Sequence, residues 1–90
     1  KYYNTPEIRI DISDDLKWDI VNKIKNYALN KYPNVNTIDG VRVDYNDGFS
    51  LIRCSNTSPS ITLRFEAANE KELDIRKREF VNLLEYYKKN

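Results

Sequence analysis

An arginine followed by a tight run of small polar residues, Arg53-Cys54-Ser55-Asn56-Thr57-Ser58-Pro59, is the stretch of this sequence best equipped for chemistry. The Arg53 guanidinium is planar and can grip two oxygens of a phosphate or carboxylate at once. Ser55 and Thr57 add hydroxyl donors, and Asn56 adds an amide with two N–H groups. Asn, Ser and Thr also favour turns whose successive backbone N–H groups open onto one hollow, a nest for an anion. Pro59 stiffens the exit. Such a cradle holds a phosphate through charge-assisted bonds worth about 1.5 to 3 kcal/mol each. The same composition also suits a plain hairpin connection whose side chains satisfy their own backbone. On chemistry alone the two readings are evenly matched.

Little else in the chain offers chemistry. It contains no histidine, which removes the commonest general base and the commonest metal ligand. Cys54 stands alone and cannot form an internal disulfide, so a reducing, cytoplasmic setting is expected. With no histidine to activate it, Cys54 reads as a small, semi-buried filler. Asp44, Asp47 and Glu66 show no spacing that marks an acid/base pair or a metal cage, so no metal site and no catalytic residue are assigned. Tyr86 and Tyr87 read as helix-face packing.

Composition sets the frame for these residues. Ninety residues with 40% hydrophobic and 32% charged side chains suit one modest globular core. A net charge of +1 gives no broad attraction to nucleic acid or an acidic membrane, and no apolar run approaches a membrane span. The chain opens on Lys1 and contains no methionine, so the expectation is of a piece of a larger protein.

The elements that hold the Arg53 segment follow from periodicity. Ile8, Ile10 and Ile12 alternate with Arg9 and Asp11, which predicts a half-buried strand. From Ser13 or Asp14 as cap, Leu16, Ile20, Ile24, Tyr27 and Ala28 recur at helical spacing, Trp18 and Val21 widen the stripe, and Pro33 ends it. Val41, Val43 and Tyr45 alternate in a strand. Asn46-Asp47-Gly48 supplies a tight turn, and Phe49, Leu51 and Ile52 return toward Arg53. Ile61, Leu63, Phe65 and Ala67 form a further strand. From Asn69 as cap, Leu73, Phe80, Val81, Leu84 and Tyr87 form the apolar face of a second helix. The order β-α-β-β-β-α predicts an α+β fold, a single domain over residues 1–90. It has a four-stranded, mainly antiparallel sheet with two helices on one face. Arg9, Asp11, Arg42, Asp44, Thr62, Arg64 and Glu66 line the other face, polar and mixed in sign.

The segment from Asp39 to Ala67 resembles the C-terminal domain of the phosphomannomutase/phosphoglucomutase enzymes, the α-D-phosphohexomutase superfamily. The shared pattern is the Asp39-Gly40 pair before a strand, Gly48-Phe49 after the hairpin, Arg53, Ser55, Asn56, Thr57 and Pro59 in the loop, and Arg64-Phe65-Glu66-Ala67 closing the next strand. Asn4 to Ile8 resembles the usual entry into that domain. The resemblance implies a TATA-binding-protein-like α+β fold. It implies that Arg53, Ser55, Asn56 and Thr57 contact the substrate phosphate that is not reacting, with Arg64 a possible accessory. It further implies that hexose 6-phosphates and 1-phosphates are interconverted through a bisphosphorylated intermediate, with the phosphoserine and Mg²⁺ on other domains and no cofactor in this chain. The expected partners are hexose mono- and bisphosphates and the remaining domains of the enzyme, with neither nucleic acid nor membrane. Asn56 is similar to the bifunctional branch, whereas phosphoglucosamine mutases tend to have Gly there. Ser58 departs from the Glu of many relatives. A stand-alone protein-interaction adaptor, using the polar sheet face or a helix surface, is the alternative.

Overall fold

The apolar residues on this chain's strands lie two apart and those on its helices three or four apart, and the fold lays both sets against each other. The computed structural model describes residues 2–89. The elements are β1 (Tyr3–Asn4), β2 (Ile8–Asp11), α1 (Asp14–Lys31), β3 (Val35–Asn36), β4 (Val41–Tyr45), β5 (Gly48–Cys54), β6 (Ser60–Ala67) and α2 (Glu70–Lys89). All strand pairings are antiparallel. The sheet runs β1-β6-β5-β4-β3, with β2 also on β6. The expected α+β order is present. The strand number is corrected, because β1 and β3 are two-residue strands too short to show an alternation in sequence.

Register explains the core. Val41, Ile52, Leu63 and Ile8 lie in one cross-strand row, and Val43, Ser50 and Phe65 lie in the next. These residues share one sheet face, and all but the half-buried Ile8 are closed to solvent. Against them sit Ile20, Ile24 and Ala28 of α1 and Phe80 and Leu84 of α2. Phe80 stacks on Phe65 and receives the edge of Tyr27. The helices also pack on each other. There Glu79 accepts hydrogen bonds from the Tyr27 and Tyr32 hydroxyls and pairs with Lys31 at 2.8 Å.

Three local expectations change. Leu16 and Trp18 are exposed, so the apolar stripe of α1 does not begin at Leu16 and Trp18 does not widen it; Lys17 between them is the buried residue. Neither Ser13 nor Asp14 caps α1 through a side-chain hydrogen bond. Asn69, in contrast, accepts from the Glu72 N–H at 2.8 Å and caps α2 as its sequence predicts. Tyr86 is exposed and meets the Tyr87 ring edge-on, so only Tyr87 of this pair packs toward the core.

Two glycines set where the strands turn. Gly40 has φ +80°, and a Cβ there would fall 2.4 Å from the Ile52 carbonyl and 2.8 Å from the Arg53 Cβ. The chain entering β4 therefore lies directly against the end of β5. Gly48 closes the hairpin with φ +136°.

Candidate functional site

Alternation along β5 assigns Arg53 its place. Ser50, Ile52 and Cys54 point into the core, so Phe49, Leu51 and Arg53 emerge on the opposite, open face. Arg53 lies in a row with Thr62 of β6 and Arg9 of β2. Arg42, Leu51 and Arg64 form the adjacent row. The carboxylates lie in the flanking rows, Asp11 opposite Ser60 and both Asp44 and Glu66 opposite Phe49, so a face of mixed composition has its arginines in the two middle rows.

Arg53 is the wall between two hollows. One, about 170 Å³, is lined by Glu7, Arg53, Cys54, Ser55, Asn56 and Thr62. The other, about 330 Å³, lies over Asp39, Arg42 and Leu51. The Arg53 Nη2 is 3.1 Å from the Asp39 carboxylate, and the Arg53 side chain is 43% exposed. This ion pair occupies one edge of the guanidinium and leaves the group at the mouth of the smaller hollow.

The loop from Ser55 to Pro59 is tied to itself. The Ser55 Oγ accepts from the Thr57 and Ser58 N–H groups, each at 3.2 Å, and from the Ser58 hydroxyl at 3.1 Å. Ser58 in turn meets the Ser60 hydroxyl at 2.8 Å, and the Ser55 N–H donates to the Ser60 carbonyl. The acceptor capacity of Ser55 is therefore consumed by the loop. Its hydroxyl hydrogen is what remains for an oxyanion, with the Thr57 Oγ1 at 3.4 Å as the competing acceptor. The side chains satisfy their own backbone, and the resulting turn borders a polar hollow.

Of the sequence-derived site residues, Arg53, Ser55 and Asn56 line one hollow. Thr57 is exposed at the loop tip and faces Ser55. Arg64 is exposed on the open face, across from Leu51 and outside the hollow. Periodicity did not single out Glu7, Asp39, Thr62 or Lys17 as neighbours of the loop. Lys17 is the most informative of these: a buried lysine whose ammonium donates to the Ser55 carbonyl at 2.6 Å and the Ser58 carbonyl at 3.1 Å. Cys54 is buried and donates to the Lys17 carbonyl at 3.4 Å. Burial pushes its thiol pKa up against the opposing charge of Lys17, which suits an inert filler.

The donor set fits an anion. Glu7 brings a carboxylate to the rim, but it is exposed and its repulsion is screened by water and salt. Among the described residues no three Cys, Asp or Glu side chains converge to hold a metal ion. No helix of the described residues is long and apolar enough to cross a membrane.

Comparison with known proteins places this geometry. Residues 7–83 match the family model described as phosphoglucomutase/phosphomannomutase, C-terminal domain. A phosphomannomutase/phosphoglucomutase of Pseudomonas aeruginosa is 46% identical over 81 residues, which is 90% of this chain and 18% of that protein. A phosphoglucomutase of Neisseria meningitidis is 45% identical over 49 residues, 54% of this chain and 11% of that protein. The crystal structure of a phosphoglucomutase/phosphomannomutase family protein from Burkholderia thailandensis superposes with a TM-score of 0.75 at 35% identity, covering 98% of this chain and 18% of that one. The chain thus spans about a fifth of the length of such relatives, and the matched residues 7–83 contain both hollows and the loop beside the smaller one. The chain belongs to the phosphoglucomutase/phosphomannomutase family and corresponds to its C-terminal domain.

Proposed function

We propose that residues 1–90 form the substrate-phosphate-binding domain of a phosphohexomutase that interconverts hexose 6-phosphates and hexose 1-phosphates. The observation that supports this reading best is the 170 Å³ hollow, which Arg53, Ser55 and Asn56 line together. Its size and donors suit a tetrahedral oxyanion at the end of a sugar. Arg53 supplies the full charge, Ser55 and Asn56 supply neutral donors, and Thr57 at the tip completes the cradle when the loop closes on a ligand. Arg64 stands outside the hollow on the open face and serves as an accessory cation.

The chemical step belongs to parts of the enzyme beyond these residues, where a serine carries the phosphoryl group and Mg²⁺ offsets its charge. The partners of this domain are those other domains and the phosphosugar, in the cytoplasm. The domain contributes orientation. With one phosphate held, the other end of the sugar is confined near the reacting serine, and the entropy of alignment is lost on binding instead of in the transition state. A sugar that carries a phosphate at either end presents the same group to the same hollow, so a single cradle serves both directions.

The test is a titration of the isotope-labelled chain with glucose 6-phosphate, followed by NMR. Amide shifts are expected to centre on residues 53–57. The Arg53→Ala variant should lose them and, within the full-length enzyme, should raise KM and lower kcat together. Kinetics unchanged by Arg53→Ala would remove Arg53 from the site.

A further inference from the structure

Lys17 is the feature of this chain that neither periodicity nor the loop motif explains. It lies in the first turns of α1, where the helix pattern puts polar residues outside, yet its side chain is only 6% exposed. Burying an ammonium is costly unless hydrogen bonds and a counter-charge replace its water. All three protons of the Lys17 Nζ have partners. They lie at 2.6 Å from the Ser55 carbonyl, 3.1 Å from the Ser58 carbonyl and 2.8 Å from the Asp14 carboxylate. Two of these three partners are main-chain oxygens of the candidate phosphate loop, 38 and 41 residues away in sequence.

Which way those carbonyls point decides which way the loop's N–H groups point. No described peptide bond is cis, and in a planar trans peptide C=O and N–H point in opposite directions. With the Ser55 oxygen drawn down onto Lys17, the N–H of Asn56 in the same peptide is turned outward. Asn56 is exposed, lines the hollow beside Arg53, and its N–H has no hydrogen-bond partner among the described residues. The second peptide held by Lys17 joins Ser58 to Pro59, which has no N–H to present. Lys17 therefore fixes two peptide planes and exposes a single main-chain donor. The ammonium also polarises the Ser55–Asn56 peptide, which strengthens the donor at its far end.

We propose that Lys17 is the positioning residue of the phosphate loop, holding the Ser55 carbonyl inward so that the Asn56 N–H faces the ligand as its main-chain donor. This deepens the phosphate-binding reading and rests on it. Lys17 does not line the hollow and touches no ligand. Its effect reaches the site through the peptide plane alone.

The experiment compares the wild-type chain with Lys17→Met, Lys17→Arg and Arg53→Ala by NMR, using inorganic phosphate as the probe. In the wild type, phosphate should move the Asn56 amide resonance. Lys17→Met keeps the length of the side chain without its donors. It should remain folded, speed hydrogen exchange at the Ser55 and Ser60 amides, and weaken phosphate binding by about ten- to a hundredfold, the value of one charge-assisted bond. Lys17→Arg restores donors to the two carbonyls and should recover part of the affinity. Arg53→Ala should abolish phosphate binding while leaving exchange at Ser55 and Ser60 as in the wild type. A phosphate response that Lys17→Met retains in full, or unaltered exchange in its loop, overturns the proposal and leaves the site reading intact. No phosphate response in the wild type overturns the site reading and this proposal with it. Should Lys17→Met fail to fold, Lys17→Leu, which also lacks donors, takes its place with the same outcomes.

Discussion

Replacing Arg76 by methionine should cost this domain more than any surface change, although Arg76 is a charged residue on a helix flank. Its side chain is 9% exposed. Nη1 donates to the Glu66 carbonyl at 2.7 Å and the Asp47 carbonyl at 3.4 Å, Nη2 donates to the Asp47 carboxylate, and Cζ lies 3.9 Å from the centre of the Tyr45 ring. One guanidinium thus ties α2 to the β4–β5 turn and to the end of β6. Methionine keeps the apolar stem against Tyr45 and removes every donor. Breaking a buried pair from one side costs about 3 to 5 kcal/mol. The Asp47 side chain is 28% exposed and partly rehydrates, which lowers the expectation to about 2 to 3 kcal/mol. For a domain of this size that is a fall in Tm of about 10 to 20 °C. Thermal and urea unfolding followed by far-ultraviolet circular dichroism at pH 7 measures it. Asp47→Asn added to Arg76→Met should cost little more, because the two residues act as one unit. A Tm drop of under about 3 °C for Arg76→Met, or full additivity with Asp47→Asn, would refute the tie.

Two further outcomes are expected. Burial works to raise the Glu79 pKa, but hydrogen bonds from Lys31, Tyr27 and Tyr32 outweigh it and hold the carboxyl below the usual range. A depressed carboxyl contributes stability above the unfolded-state pKa of about 4.3 and loses it as pH falls through the lower folded-state value. Lys31, raised mainly by its bond to Glu79, loses its share only as pH climbs above the ordinary lysine range. Urea midpoints for the wild type should therefore fall on acidification below about pH 4, and Glu79→Gln should flatten that slope; an unchanged slope removes Glu79 from the acid response. Gly40→Ala must accept φ +80° and a contact of 2.4 Å with the Ile52 carbonyl, so it should destabilise by about 2 kcal/mol or more and, by displacing Arg53, weaken phosphate binding as well. Wild-type stability and affinity in Gly40→Ala would show that the chain entering β4 does not set the position of Arg53.

Much of the fold is legible because alternation and helical spacing are local properties. Val41 and Val43, Ile61 to Ala67, and Phe80 with Leu84 announce buried faces whatever their partners are. The loop motif is legible in the same way, since Arg53, Ser55 and Asn56 are adjacent in the chain and line one hollow. Tyr3–Asn4 and Val35–Asn36 were not legible, because two residues carry no period and become strands only when β6 and β4 offer an edge. Trp18 and Leu16 misled for a related reason. A helical stripe can be drawn through several neighbouring positions, and only packing decides which of them face the core.

The amino-acid sequence by itself determined the order of the long elements, the inward sets of their strands and the Arg53, Ser55 and Asn56 run that lines the smaller hollow, because each is encoded within a few consecutive residues. Tertiary structure alone decided that Arg53 leans on Asp39, that Arg76 anchors the Asp47 turn, and that Lys17 reaches under a loop some forty residues away. These are pairings of a charged side chain with an acceptor distant in the chain. No local pattern specifies them, since a lysine or arginine on a helix looks solvent-facing until the surrounding strands remove its water and supply the acceptors that replace it.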